Sequence, residues 1–292
     1  MQGILTPLVT PLLDSDRLDE PGLDRLITHV IEGGVNGIFL LGTTGEGPNL
    51  SARLRAQVLE QASRSIGGRV PFVVGVTGAS FAENLDLACA AAGAGAAAAV
   101  YAGPLYAPLS QTALGDHVLR FADRSPLPVF LYNMPSHTHL FFAEDTVLRL
   151  AAHPRVAGLK DSSGDLMYFQ RLCRSVPAGF PLLMGPEELL LPALLAGAAG
   201  GVNGGSNLLP QLFAALYAAF SEGNLKEAWR LQGFIHQLSA EVYGHGYLAG
   251  LKFALQHCGI CNAALAEPLP SLDDAAAAAI AASLDSLPPS RA

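Results

Sequence analysis

The sequence predicts an α/β chain closed into a (β/α)8 TIM barrel with a C-terminal helical extension. Three observations carry that prediction. Short apolar runs alternate with longer amphipathic stretches, the runs number eight, and successive units lie roughly 25 to 35 residues apart, which suits one barrel plus an appendage. The chain is 292 residues long and 50% hydrophobic, enough for a large core in one domain or two.

Each element has a local justification. The strand candidates are 4–9, 37–41, 71–76, 96–101, 128–132, 156–160, 181–184 and the glycine-rich 200–203. They are apolar on both faces, as strands of a helix-covered parallel sheet are. Helix 19–33 carries Leu23, Leu26, Ile27 and Val30 at helical spacing and ends at Gly33-Gly34. Helix 51–65 opens on Ser51 as a potential N-cap and repeats the pattern with Leu54, Val58 and Leu59. Stretches 81–92, 110–122, 142–152, 165–175 and 186–195 fill the remaining gaps. An open doubly wound sheet is the competing arrangement, but no strand is followed by G-x-G-x-x-G with an acidic residue downstream.

After Asn207 only helices are predicted, over 208–222, 225–243, 248–257 and 269–284. The first closes the barrel. The division is therefore a barrel over 1–222 and a helical region over 223–292 packed on it, with Pro288-Pro289-Ser290 as a frayed tail.

Composition excludes several functions. Seventeen basic against twenty-five acidic residues leave a net charge of −8, and no basic patch interleaves with aromatic residues, so neither nucleic acid nor an anionic membrane is an expected partner. The N-terminus lacks the basic head of a signal peptide, and the alanine-rich stretch 88–101 is interrupted by Gly93 and Gly95. Four cysteines are too few for a disulfide scaffold and point to a reducing cytoplasm; Cys258-Gly-Ile-Cys261 reads as packing, with no second pair to make it a metal motif. The histidines form no H-x-H on a strand and no H-E-x-x-H, so no metal is expected.

Active groups of a barrel gather where the strands end. Lys160, one of three lysines against fourteen arginines, closes the run Val156-Ala157-Gly158-Leu159 there. A partly desolvated lysine at the barrel mouth can act as an amine nucleophile toward a carbonyl. The plain alternative is a lysine that snorkels to solvent or pairs with Asp161 or Glu46. Gly42-Thr43-Thr44-Gly45-Glu46-Gly47 offers paired hydroxyls and backbone donors to a carboxylate or phosphate, or is merely a capped turn. Tyr132 ends its own strand run and can relay protons if bonded to Thr43 or Thr44 and to a second tyrosine, Tyr106; otherwise its ring only packs.

Taken together, Gly42-Thr43-Thr44-Gly45-Glu46, Tyr132-Asn133-Met134-Pro135 and Gly158-Leu159-Lys160-Asp161-Ser162-Ser163 resemble, in order and separation, the three signature segments of the dihydrodipicolinate synthase and N-acetylneuraminate lyase family. The resemblance runs from Gly3 to about Leu265. It implies a Schiff-base mechanism without metal or organic cofactor, in a homotetramer built as a dimer of dimers. It makes Lys160 the imine-forming residue toward pyruvate or a 2-oxo acid, Tyr132 the proton shuttle, and Thr43 and Thr44 the holders of the pyruvyl carboxylate. Tyr106 falls on a tyrosine that completes the relay across the tight dimer interface in the synthase branch, and Gly185 and the Val202 carbonyl on positions lining the pyruvyl group.

Two departures bear on the branch. In synthases an arginine that grips aspartate semialdehyde stands where this chain has His137, and imidazole cannot make that bidentate clamp. The segment Gly201-Val202-Asn203-Gly204-Gly205-Ser206-Asn207 leaves space, with Asn203 and Ser206 offering hydrogen bonds to a polyhydroxy substrate. The expectation is therefore a lyase that cleaves a 2-keto-3-deoxy sugar acid to pyruvate and an aldehyde. The alternatives are 4-hydroxy-tetrahydrodipicolinate synthase, a related 2-oxo-acid dehydratase, and a non-catalytic carboxylate-binding barrel.

Overall fold

The structure, a computed structural model, describes residues 1–286; the expected frayed tail at Pro288-Pro289-Ser290 lies outside the described residues. In chain order the elements are β1 (Gly3–Pro7), β2 (Leu12–Asp14), β3 (Arg17–Leu18), α1 (Glu20–Glu32), β4 (Gly37–Leu40), α2 (Ala52–Ile66), β5 (Phe72–Gly75), α3 (Phe81–Gly93), β6 (Ala98–Tyr101) and α4 (Gln111–Arg124). There follow β7 (Val129–Asn133), α5 (Pro135–Thr138), α6 (Glu144–Ala151), β8 (Val156–Asp161), α7 (Leu166–Ser175), β9 (Leu182–Met184), α8 (Leu190–Ala196), β10 (Gly200–Val202) and the helices α9 (Pro210–Ser221), α10 (Leu225–Tyr243), α11 (Tyr247–His257) and α12 (Asp274–Ser286).

Strand β1 and strands β4 to β10 are parallel and close into a barrel, with β1 hydrogen-bonded to both β4 and β10. Both faces of the closed sheet are buried. Alternate residues point inward, where Leu5, Phe39, Val73, Val100, Phe130 and Leu183 fill the interior, and outward, where the strands meet the helices in a larger second core. Five helices that follow barrel strands start at a side-chain cap: Asp19, Ser51, Ser80, Ser110 and Asp165 accept backbone N–H bonds at the starts of α1, α2, α3, α4 and α7.

The expected elements are all found, with local differences. The hairpin of β2 and β3 has strands too short to show periodicity in sequence. The last helix begins at Asp274 and not at 269, because Pro268 and Pro270 precede it and the Asp273 carboxylate caps the Ala276 N–H at 2.8 Å. Among the described residues no helix is long and apolar enough to cross a membrane, and the alanine-rich stretch resolves into the end of α3, a turn and β6. Cys258 is exposed, and Cys261 is buried, its thiol pushed up to about 12 by burial.

Candidate active site

Strand pairing brings the lysine and the tyrosine together. Tyr132 on β7 and Lys160 on β8 are direct register partners, so both side chains enter the barrel at one level. Lys160 is 5% exposed, its Nζ lying 4.2 Å from the centroid of the Tyr132 ring and 5.0 Å from that of Phe39. Neither carboxylate that could have neutralised it does so. Asp161 faces outward and accepts from Asn133 Nδ2 at 2.8 Å, from the Ser163 N–H at 3.2 Å and from Ser163 Oγ at 3.0 Å. Burial, only partly opposed by those bonds, raises the Asp161 pKa above the ordinary carboxyl value. Because the Gly185 N–H also donates to the Asp161 carbonyl at 2.7 Å, the tips of β7, β8 and β9 are laced together directly behind the lysine.

Glu46 is engaged elsewhere. Its carboxylate takes Lys252 Nζ at 2.6 Å and the Ala266 N–H at 2.7 Å, with the lysine fully buried in α11. Burial lowers the Lys252 pKa, against the pull of Glu46. This pair holds a strained loop, since Leu41 and Glu46 have φ of 56° and 57°, a region costly for residues with a Cβ. The turned Leu41 carbonyl packs where a Cβ on Gly47 or Gly75 would stand, at 2.0 and 2.3 Å, so both positions require glycine. Two threonines are presented as a result. Thr43 Oγ1 lies 3.2 Å from Tyr132 Oη, and Thr44 Oγ1 lies 2.9 Å from Tyr247 Oη.

A cavity of about 190 Å³ opens beside this group, with Thr43, Asn49, Thr77, Tyr132 and His137 among its walls and Phe39, Leu105 and Met134 on its apolar side. His137 sits at the rim, where partial desolvation and then the nearby His139 lower its pKa below the ordinary imidazole value. Val202 is buried in the barrel interior, and Gly185 lies half-buried at the end of β9 with its carbonyl accepting from Asn203 Nδ2 at 2.9 Å.

Tyr106 is fully exposed on the loop after β6, with φ at 76°, and does not meet Tyr132 within the chain. Two expectations need correction. Asn203 points out of the barrel, its amide N–H groups bound to the Met184 and Gly185 carbonyls, because inward and outward residues alternate and Val202 takes the inward place. Ser206 is fully buried, its Oγ 2.6 Å from the Asn203 carbonyl and 2.9 Å from Thr6 Oγ1, which leaves it no reach to a ligand. Tyr247 and Lys252 were not assigned roles by sequence reasoning. For Lys252 a signal existed, a lone cation inside Gly250-Leu251-Lys252-Phe253-Ala254-Leu255; for Tyr247, 203 residues from Thr44, there was none.

The Dihydrodipicolinate synthetase family profile matches residues 1–287. A 4-hydroxy-tetrahydrodipicolinate synthase of Thiobacillus denitrificans is 34% identical over 271 residues, 93% of this chain and 92% of the relative. Among solved structures, dihydrodipicolinate synthase from Bacteroides thetaiotaomicron superposes with a TM-score of 0.94 at 43% identity, covering 98% of both chains. A prophage protein of the dihydrodipicolinic acid synthase family from E. coli K12, solved in complex with pyruvate, superposes at 0.93 with 28% identity, again over 98% of both chains.

Proposed function

The chain belongs to the dihydrodipicolinate synthetase family of class I, Schiff-base-forming lyases that use pyruvate, and from that premise we propose that Lys160 is its imine-forming residue and that it joins pyruvate to an aldehyde as the 4-hydroxy-tetrahydrodipicolinate synthases do. The observation that carries the assignment is the register pairing of Lys160 with Tyr132, whose hydroxyl meets Thr43.

The Lys160 amine attacks C2 of pyruvate. The carbinolamine then loses its hydroxyl as water, the proton coming through Tyr132, and leaves an iminium. Tyr132, left deprotonated by that step, takes a C3 proton to give an enamine, and as C3 adds to the aldehyde carbon the proton passes to the aldehyde oxygen. Water finally releases the product and regenerates the amine. Thr43 and Thr44 hold the pyruvyl carboxylate, and Gly185 and the Val202 carbonyl line its other side. The complete exposure of Tyr106 supports a partner subunit, within a homotetramer, as the place where that phenol acts. The proposed setting is the cytoplasm.

Names of relatives favour the synthase reading over cleavage of a sugar acid, and the amide N–H groups of Asn203 and the Ser206 hydroxyl, two supports of the latter, are engaged within the fold. One observation keeps retro-aldol cleavage as a second reading: an imidazole, His137, stands at the rim where a guanidinium would grip a second carboxylate.

Borohydride reduction with pyruvate tests the assignment, with a covalent mass increase confined to Lys160 expected; an unmodified lysine refutes it. Pyruvate plus aspartate semialdehyde, assayed beside a panel of 2-keto-3-deoxy sugar acids, separates the two readings. His137→Arg is expected to raise kcat/KM for the semialdehyde about 10- to 100-fold through a bidentate charge-assisted contact, with adduct yield unchanged. An equal change in both would remove His137 from second-substrate recognition.

A further inference from the structure

Tyr247, the first residue of α11, reaches the double-threonine loop from the C-terminal helical layer. The residue is 40% exposed, while its hydroxyl lies 2.9 Å from Thr44 Oγ1. The place of that hydroxyl is set from several sides. A Cβ on Gly204 would stand 2.2 Å from it, so the glycine after Asn203 is what admits it. The Tyr243 ring packs edge-on against the Tyr247 ring, centroids 4.7 Å apart at 70°, and the Tyr243 hydroxyl is held at 3.2 Å by the Glu187 carboxyl, which also takes the Gly205 N–H at 2.7 Å.

Hydrogen counting then assigns a direction to the bond. A carboxylate only accepts, so Thr44 can bind one only by donating its single hydroxyl hydrogen, and its oxygen is then free to accept. Desolvation of the phenol raises its pKa well above 10, so it keeps a proton to give. Resting on the reading of Thr44 as a carboxylate holder, we propose that Tyr247 is a positioning residue that donates to Thr44 Oγ1 and so aims the Thr44 hydrogen at the carboxylate of the 2-oxo acid. The C-terminal layer thereby sets pyruvate affinity without touching the reacting carbon.

The test is borohydride trapping of the full-length protein over a range of pyruvate concentrations, read as adduct mass on Lys160. Tyr247→Phe is expected to raise the half-saturating pyruvate concentration about 5- to 10-fold, the worth of one net hydrogen bond, with the yield at saturation unchanged. Thr44→Val should weaken binding at least as much, and the double variant should be no weaker than Thr44→Val alone, since the phenol acts only through that hydroxyl. Gly204→Ala, which displaces the same hydroxyl with Tyr247 retained, should shift half-saturation in the same direction and decides the matter if Tyr247→Phe does not fold. An unchanged half-saturation, penalties that add in the double variant, or a saturating yield that falls with the melting temperature would each overturn the role. Absence of any adduct in the unsubstituted protein fails earlier, at the Schiff-base reading itself, so the two failures are distinguishable.

Discussion

Two halves of the site are held in place by different physics. Lys160 and Tyr132 stand on adjacent strands, and their relative position is one rung of the β7–β8 ladder, backed by Asn133 and Asp161 on the next rung. Thr43 and Thr44 stand on a loop with two left-handed residues, and that loop keeps its shape through α11, where Lys252 grips Glu46 and Tyr247 meets Thr44 across more than 200 residues of chain. In the proposed mechanism the chemistry falls on the rigid half. Anion recognition falls on the half whose geometry depends on a second layer, where a change far from the reacting carbon can alter affinity and leave the amine intact.

That comparison can be tested from both ends. The largest effect is expected from Lys160→Met, which conserves volume but removes the nucleophile. Turnover should fall by about 10³ or more and no pyruvate adduct should appear, without a drop in melting temperature, because Met fills the same space inside the barrel. Residual turnover close to that of the parent would show that the strand-borne half is not the reacting one.

On the loop-borne half, Lys252→Met strands the buried Glu46 carboxylate. A loss of about 3–5 kcal/mol in urea unfolding is expected, seen as a lower midpoint with unchanged slope. Below its melting temperature the variant should still form the Lys160 adduct at saturating pyruvate. If the adduct is lost at saturation as well, the two halves are not separable.

The smallest effect concerns pH. Burial, opposed by the Gly205 N–H, pushes Glu187 up from 4.5 to about 8. The folded state therefore binds more protons there than the unfolded state, and the stabilisation is complete below about 4.5 and lost as pH rises to about 8, on the order of a few kcal/mol. Glu187→Gln keeps an acceptor for Gly205 and should flatten that slope. A melting-temperature profile in which parent and variant fall in parallel over this range would remove the carboxyl as the cause.

How much was legible beforehand follows the same division. The barrel was readable because strands buried on both faces and helices at 3.6-residue spacing leave a periodic record, and Ser51 marks where one helix begins. Lys160 and Tyr132 were readable because a polar group at the end of an apolar run is anomalous. Tyr106 illustrates the limit, since a tyrosine near the mouth in sequence stands fully in solvent within the chain. Asn203 and Ser206 illustrate it again: both follow the last strand, but the alternation that sends Val202 inward sends Asn203 outward, and Ser206 is buried against Thr6.

Sequence by itself determined the order of elements, the closed parallel sheet and the place of Lys160 at the end of a buried strand, because these depend on patterns spaced within a few turns or strands of one another. Only the tertiary structure decided that Glu46 belongs to Lys252 and not to Lys160, and that Thr44 answers to a phenol in the C-terminal layer. Those choices are contacts between segments about 200 residues apart. A buried charge takes whichever opposite charge the packing brings within reach, and no local pattern records which one that will be.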